Sequence, residues 1–111
     1  MKDSISQEDI NRYKKMLVSL VNTAIAQTDG VAREYDVVKK KFGTSTMNTK
    51  NIHVYIYDNT VTIDIYINVL YGHPVPQVVC KLQENVLNLI KDSTTFYIKN
   101  INVNVSNVIS A

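Results

Sequence analysis

The chain opens on a helical stripe. Ile10, Tyr13, Leu17, Leu20, Val21, Ala24 and Ile25 recur at offsets of three and four, so they share one side of a helix. Arg12, Lys14, Lys15, Ser19 and Asn22 fall mostly off that side. Ser6 with Asp9 three residues later forms a capping pattern, and Ser4 with Gln7 offers an alternative. Gly30 is a suitable stop, so the pattern predicts a helix over about residues 7–28. From 31 to 50 the periodicity is lost. Residues 31–38 fit either a short helix or an irregular connection, and Lys39-Lys40-Lys41 leads into a polar surface loop through Lys50.

Period two then takes over. Ile52 to Tyr57 alternates, Asp58-Asn59 is a tight-turn pair, and Thr60 to Leu70 alternates again. Val61, Ile63, Ile65, Ile67 and Val69 share one face, with Thr62, Asp64, Tyr66 and Asn68 on the other. This predicts a half-buried antiparallel hairpin, because a slip of one residue would move five aliphatic side chains into water. Tyr71-Gly72-His73-Pro74 breaks the strand, and Pro76 suits the first turn of a second helix. That helix carries Val79, Leu82, Val86, Leu89 and Ile90, with Val78 beside them, and ends at Asp92-Ser93-Thr94. The last strand sets Ile101, Val103 and Val105 against Asn100, Asn102 and Asn104. Phe96 and Ile98 have the opposite parity to Ile101, which predicts a bulge near Lys99-Asn100.

The order is therefore α-β-β-α-β. An α+β two-layer sandwich, with two helices on one face of a three-stranded sheet, buries every apolar stripe at once. The second strand, second helix and third strand form a crossover unit, expected to be right-handed. The third strand is expected beside the first and antiparallel to it. The 111 residues fit one domain spanning 1–111.

Composition changes this picture little. The 15 Val, 12 Ile and 7 Tyr agree with a strand-rich chain. A net charge of +2 gives no electrostatic case for a nucleic-acid or membrane surface. No run is long and apolar enough to span a bilayer, and the charged N-terminal segment does not read as a signal core. A soluble, cytoplasmic protein without direct membrane insertion is expected.

Candidate chemistry is sparse. One cysteine, Cys80, excludes an internal disulfide, and packing on the helix flank explains it better than nucleophilic reactivity. His53 and His73 belong to no metal-ligand spacing, and three glycines cannot build a phosphate loop. Asp64 and Asp58 read as a strand-surface residue and a turn former. No catalytic, metal or cofactor site is expected. Lys39-Lys40-Lys41 is weighed as an anion contact and read as a solvated loop, since three lysines supply little membrane affinity.

The outer sheet face carries the one distinctive surface. Tyr55, Tyr57 and Tyr66 lie there with Asn102 and Asn104, and with Thr62, Asn68 and Asn100 around them. Exposed aromatic rings on a sheet suit stacking on single-stranded RNA, but such platforms need cations for the phosphates. Residues 52–111 hold 3 Lys against 4 acidic groups, so a protein partner is expected and nucleic acid is not. An RNA-binding module is the alternative.

These segments together resemble the alkaline shock protein family of envelope stress response proteins of Gram-positive bacteria. The likeness rests on Ala24-Ile25-Ala26, Asp29-Gly30-Val31, Asp58-Asn59 and Val61 to Ile67. It continues in Tyr71-Gly72-His73-Pro74-Val75-Pro76-Gln77-Val78-Val79, Gln83-Glu84-Asn85-Val86 and Ile101 to Val105. It covers most of the chain outside 32–50, and the Lys-rich connection and abundant asparagine depart from the usual pattern. The resemblance implies a non-enzymatic cytoplasmic protein linked to cell-envelope stress and homeostasis. Some members self-associate and are tethered by a separate membrane anchor, and others are encoded beside fatty-acid kinase genes. A homo-oligomer with a protein partner, membrane-anchored in some members, is the resulting expectation.

Overall fold

A computed structural model describes residues 6–32 and 51–110. The expectations for the Lys39–Lys41 run, for the connection 33–50 and for a Ser4 cap lie outside the described residues. Helix α1 (Gln7–Ala26) starts where Ser6 accepts a hydrogen bond from the Asp9 amide at 3.1 Å. Asp9 itself turns outward and pairs with Arg12. The helix stops two residues before the expected end, with Gln27 as C-cap. Gly30 follows at φ +93°, a conformation that costs a residue without a Cβ little. The chain then enters a two-residue strand, β1 (Val31–Ala32), which the sequence pattern did not show.

The hairpin forms as expected. Strands β2 (Ile52–Tyr57) and β3 (Thr60–Leu70) pair antiparallel, with Tyr57 opposite Thr60 and Ile52 opposite Ile65. Asp58 takes the positive φ of the turn. Helix α2 (Val75–Ser93) begins with Pro76 in its first turn. Its buried stripe is Val78, Leu82, Val86 and Ile90, so Val78 replaces Val79 as the first inward residue.

Strand β4 (Tyr97–Ile109) corrects the expected topology. It lies beside β3 and runs parallel to it, not beside the first hairpin strand. It stays opposite in direction to β2, but β3 stands between them. The bulge expected near Lys99-Asn100 is present, since Val61 pairs with Ile98 and Thr62 with Asn100. A second one follows, as Ile67 pairs with Val105 and Asn68 with Asn107. β4 occupies one edge of β3 along its whole length, so β2 and β1 must share the other edge in succession. The result is a mixed four-stranded sheet, three strands wide, in place of the expected three strands.

Both helices pack on one sheet face. Leu17, Val21 and Ala24 of α1 and Leu82, Val86 and Ile90 of α2 are fully buried against Val61, Ile63, Ile65 and Val69. The α+β two-layer class thus holds. One polar link crosses the helices: Asn85 Nδ2 donates to Thr28 Oγ1 at 2.9 Å, and that hydroxyl donates to the Ala24 carbonyl at 2.7 Å. Thr28 is buried, so its loss strands a half-buried amide. Thr28→Val should cost about 1–3 kcal/mol in a urea titration. An unshifted midpoint would show that the link adds nothing.

Candidate interaction surface

Alternation decides which side chains reach the sheet face opposite the helices, which no described element covers. On β2 the outward residues are His53, Tyr55 and Tyr57, and all three are exposed. On β3 they are Thr62, Asp64, Tyr66 and Asn68, and on β4 they include Asn100, Asn102 and Asn104. The ladders align them in rows. Tyr55, Thr62 and Asn100 form one row, and His53, Asp64 and Asn102 the next. Tyr66 and Asn104 follow. Neighbouring strands lie about 4.8 Å apart, so each row is a continuous strip of side chains.

The candidate residues are brought together here. Tyr55 is 54% exposed, Tyr57 83% and Tyr66 41%, and Asn102 and Asn104 are exposed as well. Two contacts order the middle of the face. Asn102 Nδ2 donates to Asp64 Oδ1 at 2.8 Å, and the Tyr66 ring meets the His53 ring edge-on at 5.9 Å between centroids. Asn104 Nδ2 lies 3.4 Å from the Ile65 carbonyl, which it reaches as a donor. A fixed amide and a fixed ring lose less side-chain entropy when a partner covers them.

Two residues of this face escaped the sequence pattern. Tyr97 is 67% exposed and completes a row with Tyr57 and Thr60. Its odd number suggests the inner face, but the bulge at Lys99 reverses the parity ahead of it. Asn107, opposite Asn68, is shifted likewise by the second bulge. The three-residue spacing of Val105 and Val108 is the signal that could have revealed it.

Charge is scarce on the face. Asp64 is the one carboxylate on its β-strand rows, and Lys99, exposed at the bulge between the Tyr97 and Asn100 rows, is the one cation on the described strands. That matches the need of a protein contact, where ion desolvation is costly, better than that of a phosphate backbone. Reactive groups elsewhere are scattered. Cys80 is exposed on α2 rather than packed on its flank. His73 shares a shallow hollow with Asp29 and Lys81 at the start of α2, far along the chain from His53. A second hollow of about 360 Å³, near Tyr13 and Phe96, is lined by Ser93, Thr94 and Thr95 and holds no acid or imidazole. Among the described residues, no three His, Cys, Asp or Glu side chains converge as metal ligands. No helix among them is long and apolar enough to cross a membrane.

Comparison with known proteins agrees with the sequence resemblance. No solved structure matches the chain. The uncharacterized protein YqhY of Bacillus subtilis (strain 168) is 27% identical over 93 residues, covering 78% of this chain and 66% of the relative. The chain thus spans just under two thirds of that relative's length. The model of the alkaline shock protein family, described by a cell envelope-related function, matches residues 2–110. With that match running through both helices and the whole sheet, the chain belongs to the alkaline shock protein family, whose function is cell envelope-related.

Proposed function

We propose that this chain is a non-enzymatic interaction or scaffold protein of cell-envelope homeostasis or the envelope stress response. It works through protein–protein contacts, with a membrane-held protein partner on the cytoplasmic side and with copies of itself. The observation that carries this reading is the sheet face that no described element covers. Tyr55, Tyr57 and Tyr66 stand exposed beside Asn102 and Asn104, and Asp64 supplies the only carboxylate in their rows. Tyrosine gives a large contact area for few rotatable bonds, and asparagine adds hydrogen bonds without an ion to desolvate.

The test is Tyr57→Ala combined with Tyr66→Ala. Both rings are exposed, so the melting temperature should stay close to that of the parent. Affinity capture from native cells should lose the membrane-held partner, and the affinity should fall about tenfold or more if these rings are hot spots. Undiminished capture by the folded double variant would place the contact elsewhere. An anisotropy titration with single-stranded RNA at low salt checks the competing reading. Salt-dependent binding there would favour an RNA-binding module and count against a protein partner.

A further inference from the structure

β4 has one neighbour among the described strands. Its inner edge is paired with β3 from Thr60 to Leu70, and no described strand pairs with its outer edge. Ala32 and Asn51, where the described chain resumes on either side of 33–50, both border the opposite edge of β3. Natural sheets usually guard such an edge with charge, proline or extreme shortness. This strand is 13 residues long, lacks proline, and carries Lys99 as its only charge.

The edge is also nearly palindromic. About Val103 the sequence reads Asn102 and Asn104, then Ile101 and Val105, then Asn100 and Ser106. Further out come Lys99 with Asn107, and Ile98 with Val108. In an antiparallel pair, directly opposed residues share a face. Two copies centred on Val103 therefore oppose apolar to apolar and amide to amide at each position from 101 to 105, with Asn100 opposite Ser106. Centring on Asn102 instead would set Lys99 against Val105. Ile101, Val103 and Val105 are only half-buried in one copy, which leaves apolar flank for a second copy to cover. The two bulges, at Lys99 and Ser106, bracket this stretch.

We propose that β4 is a self-pairing edge: two copies of this chain join β4 to β4 antiparallel about a two-fold axis at Val103. The pairing continues the sheet across both copies and merges their tyrosine and asparagine faces into one surface. It rests on the scaffold reading and names one of the partners. A two-fold contact of this kind closes on itself, so it yields dimers and not open chains.

The register dictates a charge test. Asn100 of one copy opposes Ser106 of the other, and within one strand the two lie about 20 Å apart, too far to compensate each other. Asn100→Lys with Ser106→Lys sets like charges opposite twice, whereas Asn100→Lys with Ser106→Glu sets opposite charges there twice. Sedimentation of the full chain over a concentration series should show a dimer. The dimer constant should weaken at least tenfold in the Lys/Lys variant and return to within about threefold of the parent in the Lys/Glu variant. Circular dichroism confirms that each variant is folded. Equal dimer constants in the two folded variants would overturn the β4 pairing while leaving self-association standing. A parent that stays monomeric overturns the pairing, while capture of a membrane-held partner would still uphold the scaffold reading. Hydrogen exchange of the parent chain gives a check without substitutions. Amides of Ile101, Val103 and Val105, which face the outer edge, should gain protection as protein concentration rises, and concentration-independent exchange overturns the proposal.

Discussion

Ile65→Ala should lower the unfolding free energy by about 2–5 kcal/mol, read from the urea midpoint at unchanged slope. Ile65 is fully buried at the middle of the central strand. It stands opposite Ile52 on one side and Val103 on the other, under the two helices. Removing three carbons there opens a cavity that neither neighbouring strand can fill without breaking its own ladder. Val103→Ala supplies the comparison. That residue lies in the same row but is half-buried on an edge strand, so its loss should be clearly smaller. Equal losses would mean that the core does not centre on β3.

Gly30→Ala should be similarly damaging, for two separable reasons. At φ +93° a side chain is strained, which costs on the order of 1–3 kcal/mol. A Cβ at this site would also stand 2.9 Å from His73 Cγ and from Val78 Cγ2. The exposed His73 ring can swing away, but Val78 is buried and cannot. Overpacking against it adds about 1–3 kcal/mol. Gly72, at φ +99° with open space around it, isolates the backbone part. In thermal melts Gly30→Ala should lose more than Gly72→Ala, and adding His73→Ala should recover only a fraction. Matching losses at the two glycines would remove the packing explanation.

Most of the fold is legible in the sequence wherever one side of an element is greasy. The stripes of α1 and α2 and the alternation of β3 each state which way an element faces. They do not state which element lies alongside. The pattern of β4 points Ile101, Val103 and Val105 inward whether the neighbour is β2 or β3, so its placement beside β2 was wrong while its facing was right. β1 escaped because two residues carry no period; backbone pairing to Asn68 and Val69 makes it a strand. The face with Tyr55, Tyr57 and Tyr66 followed from parity alone. Tyr97 and Asn107 joined it only through bulges, each of which resets parity by one residue.

Because β1, β2 and β4 all hydrogen-bond to β3 and none to each other, the sheet is wired as a hub with spokes. One spoke can detach without unzipping the next, which separates local opening from global unfolding. The edge strand β4 can thus loosen while the hairpin and the two helices packed on it persist, and an assembly joined through β4 would inherit that looseness as a hinge.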